Sequence, residues 1–178
     1  MTDQEALPSD ARPWTAGRVL AWATVILMIS MWVYVLYLAF GPGLQPPRDR
    51  VADPGFGRTA ETICDAAHAD VSALPAAVST TDARQRAAVV AQANTRFARM
   101  LDDLAAIAPS GDDGEIVREW LADWHTYLGD REAYVTALAR DPKARLLVTA
   151  KDQEQITEFI DAFAADNRMI ACATPIDV

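Results

Sequence analysis

Hydrophobic and polar positions follow three different rhythms along this chain. From Val19 to Phe40, VLAWATVILMISMWVYVLYLAF, 22 residues pass without a charge, a proline or a glycine. As a helix rising 1.5 Å per residue, such a run is roughly 33 Å long, which matches the hydrocarbon core of a bilayer. The run is longer than the apolar region of a cleavable leader. Asp3, Glu5 and Asp10 precede it, and no A-x-A-like site follows. The pattern therefore predicts an uncleaved signal anchor at residues 19–40, after a short tail at 1–18.

The second rhythm is that of a spacer. Residues 41–57, GPGLQPPRDRVADPGFG, hold four glycines and four prolines. Proline favours extended backbone, so this segment predicts a semi-rigid stalk, roughly 50 Å long when fully extended.

The third rhythm fills residues 58–178 and is helical. A first helix is expected from Arg58 to Leu74, stopping before Pro75. A second runs from about Asp82 to Ala108 with Thr80 or Thr81 as its cap; Val90, Phe97, Leu101, Leu104 and Ala108 recur at spacings of three and four. Pro109 and Gly111 break the chain. Asp112, with Glu115 three residues on, reads as a capping box that opens a third helix reaching Arg140. Along it Val117, Leu121, Trp124, Leu128, Val135 and Leu138 form a heptad-like seam, with Arg131 at a seam position. After Asp141-Pro142 a short extended piece, Leu146-Leu147-Val148, is expected against the bundle. Thr149 then caps a last helix over residues 151–167, with Ile156, Phe159, Ile160 and Phe163 on one face. The fold class that follows is all-α: one N-terminal transmembrane helix and a bundle of about four helices.

Charge narrows the partners. The net charge is −9, and from Gly41 onward 14 basic against 22 acidic residues leave −8. Phosphate backbones need clustered Lys and Arg, so nucleic acid is not an expected partner, and anionic headgroups would repel this part of the chain. The basic residues are almost all Arg, and Ala and Asp are abundant, a bias of high-GC bacterial genomes.

Orientation rests on two observations. Arg12 and Arg18 before the apolar run are balanced by Arg48, Arg50 and Arg58 after it. Long domains translocate largely regardless of flanking charge. Cys64 and Cys172, the only cysteines, both lie after the run and lack metal-ligand spacing. An even pair of this kind suits a disulfide in an oxidising compartment, with the alternative of two free thiols or an intermolecular bond. The expected placement is the cell membrane, crossed once, N-terminus cytoplasmic and C-terminal domain extracytoplasmic. Trp14, Trp22 and Tyr37 could serve as interfacial anchors; Trp32 and Tyr34 sit deeper, facing lipid or a partner helix.

Candidate chemistry is sparse. Glu61, Cys64, Asp65 and His68 share one helix and could be read as a metal group, but a disulfide would remove the thiolate and leave a weak site. No G-x-S-x-G, S-x-x-K, H-E-x-x-H or C-x-x-C-H is present. Asp102-Asp103 and Asp112-Asp113 are neighbours in sequence, which on a helix do not face each other. No catalytic residue, metal or cofactor is therefore expected.

The densest segment is WLADWHTYLGDREAY. Trp120, Trp124, Tyr127, Arg131 and Tyr134 read either as core packing around a structural ion pair or as an aromatic surface for a partner. For a buried Arg131 the candidate acids are Glu61, Asp65, Asp102 and Asp103.

With its short tail, single anchor, Pro/Gly stalk, WLADWHTYLGDREAY helix and terminal CATPIDV, the chain resembles small uncharacterised membrane proteins of actinobacteria. That resemblance implies no activity and no functional residue. The expected function is a non-catalytic cell-envelope protein, an accessory or scaffold subunit working with other membrane proteins. The alternative is an extracytoplasmic domain that binds or senses a small molecule together with a partner. A binding module needs a pocket with a few polar groups, whereas a scaffold needs an exposed apolar or aromatic patch.

Overall fold

A computed structural model describes residues 16–40 and 49–177 of the chain. Trp14, most of the expected N-terminal tail, residues 41–48 of the expected stalk and Val178 lie outside the described residues. The chain divides into two units, residues 1–46 and 47–178, each considered by itself.

The first unit contains α1, Ala16–Phe40. Within it Gly17–Leu38 is 22 residues long, has a mean hydropathy of 2.2 and is wholly unburied. The helix is apolar on every side, as a segment solvated by lipid must be. Thr24 returns its hydroxyl to the Leu20 carbonyl at 3.0 Å, which satisfies that hydroxyl without a partner helix. The unit therefore holds one helix long and apolar enough to cross a membrane.

The second unit is helical. It contains α2 (Pro54–Ser72), α3 (Ala83–Ala106), α4 (Asp112–Leu138), a two-residue hairpin of β1 (Ala150–Lys151) and β2 (Glu154–Gln155), and α5 (Ile156–Asp166). Two short 3-10 turns, Ala77–Ser79 and Ile170–Cys172, complete it.

α2 starts four residues before the expected Arg58, and the end of the expected stalk belongs to the domain. Asp53 is the cap, accepting from the Gly55 amide at 2.7 Å, and Pro54 occupies the first turn, where a missing N–H costs nothing. Val51, Phe56 and Gly57 are buried. Asn167 clamps this arm by accepting from the Val51 amide at 2.8 Å and donating to the Asp49 carbonyl at 2.9 Å. Asp113 accepts from the Ala52 and Asp53 amides at 3.0 and 3.3 Å. The approach is tight: a Cβ on Gly57 would stand 2.5 Å from the Asn167 carbonyl oxygen.

Other helix starts also depart from expectation by a few residues. α3 is capped by Asp82, which accepts from the Gln85 amide at 2.8 Å, not by Thr80 or Thr81. The Thr80 carbonyl instead takes the Arg86 guanidinium at 2.8 and 3.2 Å. At α4 the cap is Gly111, whose φ of 73° excludes most side chains, and no capping box forms. Asp112, Asp113 and Glu115 still place three acids in the first turn, where they complement the helix dipole.

The largest departure precedes α5. Residues expected to begin the helix form the hairpin instead, pairing Ala150 with Gln155 and Lys151 with Glu154. Its turn puts Asp152 and Gln153 at φ of 50° and 73°, the left-handed pair that a two-residue hairpin demands. Thr149 caps nothing. Its amide and hydroxyl both donate to Asp130, at 2.7 and 2.8 Å. The preceding extended piece behaves as expected: Leu146 and Val148 pack inward and Leu147 points out.

α3 and α4 pair antiparallel, since Phe97 meets Trp124 and Asn94 meets Arg131. Ala93, Phe97, Met100, Leu101 and Leu104 face Val117, Leu121, Trp124 and Leu128; α2 and α5 close the two flanks. A smaller cluster of Ala77, Val89, Val90, Tyr134 and Leu138 lies at the other end of the pair.

Cys64 on α2 is bonded to Cys172, 108 residues away, with Cα atoms 5.1 Å apart and both residues buried. The bond closes nearly the whole domain. Replacing both cysteines by alanine is expected to lower unfolding stability by about 2–5 kcal/mol. Denaturant titration of the detergent-solubilised chain, followed by tryptophan fluorescence, measures this. An unchanged midpoint would mean that the tail contributes nothing to the bundle.

Candidate functional site

Arg131 lies in the middle of α4 with its side chain fully out of water. All three of its nitrogens have partners. Nε donates to Asn94 Oδ1 at 2.7 Å, while Nη1 and Nη2 donate to the two carboxylate oxygens of Asp177 at 2.6 and 2.7 Å. Nη1 also approaches the Tyr127 hydroxyl at 3.4 Å. The Phe97 and Tyr127 rings lie 5.3 and 5.7 Å from the guanidinium carbon, within cation–π range. Burial pulls the pKa of Arg131 down, but the two hydrogen bonds and the charge of Asp177 outweigh it and hold the group above its ordinary value. Tyr127 is raised by burial, with Arg131 pulling it back only in part.

The acid that meets Arg131 is none of the four expected. Glu61 accepts instead from the Ala171 amide at 2.9 Å. Asp65, Asp102 and Asp103 are exposed. One signal pointed to Asp177: it is the only acid beyond Cys172, on a segment the disulfide draws onto the bundle.

The aromatic-surface reading of α4 is corrected. Trp120, Trp124, Tyr127, Arg131 and Tyr134 are all buried within the chain. Trp124 and Arg131 belong to the expected seam, and Trp120, Tyr127 and Tyr134 flank it, so the buried face of α4 is wider than a single seam. α4 buries this wider face because α3 and α5 both pack on it. Trp120 stacks on Phe163 with centroids 5.0 Å apart and donates to the Ile160 carbonyl at 3.3 Å. Trp124 packs between Phe97 and Tyr127. Val135, expected in the seam, is only half-buried because Tyr134 takes the inward position.

The expected weak metal group also dissolves. Cys64 is in the disulfide, Glu61 holds a backbone amide, and His68 stands edge-on to Phe97 at 5.4 Å. Among the described residues no three His, Cys, Asp or Glu side chains are grouped to hold a metal ion. His125 is exposed on α4.

The tail makes the concave site. After α5 the chain turns at Arg168 (φ 58°), buries Met169, and runs across α2 without regular structure beyond the 3-10 turn. Four attachments fix it: the disulfide, Glu61 on the Ala171 amide, Asp161 on the amide and hydroxyl of Thr174 at 2.7 and 3.2 Å, and Asp177 on Arg131. Between this strap, the second half of α2, the 75–78 turn and α3 lies an open cleft of about 640 Å³. Asp65, His68 and Ser72 form a polar stripe along its α2 wall; Val78, Ile170 and Ile176 are exposed at its edges. The volume falls in the roughly 300–1,000 Å³ range of small-molecule sites. Comparison of the chain with family models, curated proteins and solved structures found no match, so no residue's role is carried over from a relative.

Two outcomes follow from the Arg131 cluster. Asp177→Asn strands a buried cation and is expected to destabilise the domain by about 3 kcal/mol, with the partial exposure of Asp177 holding the cost near the low end. Adding Arg131→Met should recover much of that loss. A double-mutant cycle by denaturant unfolding reads the coupling, and additive losses would mean that the pair is not coupled.

The second outcome concerns alkali. Tyr127 has a raised pKa in the fold, so its contribution is complete below the ordinary phenol range and is lost as pH rises through the raised value. Phenolic absorbance of wild type minus Tyr127→Phe should therefore titrate later than a free tyrosine. A difference spectrum with an ordinary midpoint would contradict the burial of this group.

Proposed function

We propose that the chain is a membrane-anchored cell-envelope protein whose extracytoplasmic helical domain works by binding, with no chemistry of its own. The observation that carries the reading is the composition of the cleft edge. Val78, Leu147, Ile170 and Ile176 are the large apolar side chains that the described part of the second unit exposes, and three of the four stand at this cleft. Scattered exposed aliphatics are ordinary, whereas their gathering around one concavity marks a recognition site.

Support for the placement comes from α1 and the disulfide. α1 has the length and composition of a membrane span, and a disulfide persists in oxidising compartments. The polarity proposed is N-terminus inside and domain outside. Since the Trp and Tyr side chains of α4 are internal, the cleft replaces them as the recognition surface. The reading thus moves toward a ligand-binding domain. An accessory subunit that uses the same edge for a protein partner is the second reading, favoured by the full exposure of Ile176.

The test uses the intact chain in its native envelope. Ser79→Cys, at an exposed position, should react with a membrane-impermeant maleimide in unbroken cells. Labelling only after lysis would reverse the orientation. A photo-crosslinking residue at position 78 or 170 should capture a ligand or partner, while one at the exposed Glu132 should not. Absence of adducts from both cleft positions would overturn the binding reading.

A further inference from the structure

We infer that the cleft takes an amphiphile with a single apolar chain and a cationic amine head; this rests on the proposed binding role and names its ligand. The two kinds of surface that such a molecule needs both line the cleft. On the α2 wall, Asp65, His68 and Ser72 follow one another at spacings of three and four, so they share one face. Across from them stand the aliphatic edge residues Val78, Ile170 and Ile176, and α3 contributes Val89 and Ala93 to the same lining.

Charge selects the head. Two carboxylates line the cleft. That of Asp177 is neutralised by Arg131, with both oxygens engaged. That of Asp65 has no hydrogen bond or ion pair among the described residues, and Asp65 is exposed. The only other titratable lining residue is His68, so no lining residue offers a permanent cation to an anionic head. The surrounding chain adds to the bias, with 22 acidic against 14 basic residues from Gly41 onward. An ammonium group beside Asp65 is complementary, and a carboxylate or phosphate head is repelled.

The chain length of the ligand is limited by shape. One apolar chain suits an open concavity of about 640 Å³ whose lining includes the buried Ala77, Val89 and Ala93. On the proposed placement, a bilayer beside the domain is the source of such molecules.

Native mass spectrometry of the full chain released from a non-ionic maltoside detergent tests this directly. Dodecylamine and dodecanoate are compared at equal concentration, below micelle formation and at neutral pH. One dodecylamine adduct is expected, at about fivefold or greater occupancy over dodecanoate, the scale of one partly exposed ion pair. Asp65→Asn should remove the preference while leaving the fold intact, because Asp65 makes no contact that the fold uses. Ser72→Trp, introduced at an exposed helical position, should block both amphiphiles. Equal occupancy in the wild type, or a preference for dodecanoate, overturns the choice of head. If neither amphiphile binds while positions 78 and 170 still crosslink to a protein, the amphiphile is wrong and the binding role stands. If neither amphiphile binds and no crosslink forms, both fail.

Discussion

A guanidinium that water cannot reach sits inside the helical domain, and the course of residues 168–177 answers to it. Arg131 occupies a position on α4 from which its head cannot escape, between the Phe97 and Tyr127 rings. An unpaired charge there would cost several kcal/mol. Asn94 meets one donor, but an amide cannot neutralise the charge. The carboxylate has to come from elsewhere, and it comes from the tail, 46 residues further along. Once Asp177 is fixed on the buried guanidinium, the preceding residues must cross α2. The disulfide, Glu61 and Asp161 hold them there. The cleft is the space left beside that crossing, so its wall is as firmly placed as the ion pair.

Much of the architecture was legible because its signals are local. α1 is declared by composition alone. Pro75, Pro109 and Pro142 stand where the helices end, and the cysteine pair has one possible intrachain partner. The parts that were misread depend on contacts distant in sequence or on uncommon backbone geometry. Asp53-Pro54 is a sound helix start, but within a Pro/Gly-rich run it looks like spacer, and only Asn167 and Asp113 show that the arm is docked. Asp152 and Gln153 are not the glycine or asparagine that normally announce a hairpin turn, so helical periodicity extended across them. Asp177 was legible only in retrospect, since helix-borne acids are the natural candidates for a helix-borne arginine.

Burial of the α4 aromatics has the same origin. A heptad count finds one stripe, because it assumes one partner helix. α4 has neighbours on two sides, so positions flanking the seam are also internal, and Trp120, Tyr127 and Tyr134 occupy them. Residue type cannot separate these cases: tryptophan, tyrosine and arginine are typical of binding hot spots and equally of a core that contains a buried ion pair.

The location of the candidate site follows from how the helices use their apolar surface. α2 through α5 spend their large side chains on one another, leaving acids, alanines and arginines outside. What apolar surface stays exposed has to come from segments that are not helices. Val78 and Ile170 stand on 3-10 turns, Ile176 on the tail, and Leu147 on the extended piece before the hairpin. Connecting segments usually carry recognition because a scaffold positions them without burying them. Here the scaffold does so by covalent and ionic means: the disulfide sits two residues after Ile170, and the ion pair immediately after Ile176. Ile170 therefore lies beside one of the strongest attachments in the domain, and Ile176 lies between the two. A tail held only for stability would have no need to keep those side chains in water beside its anchors.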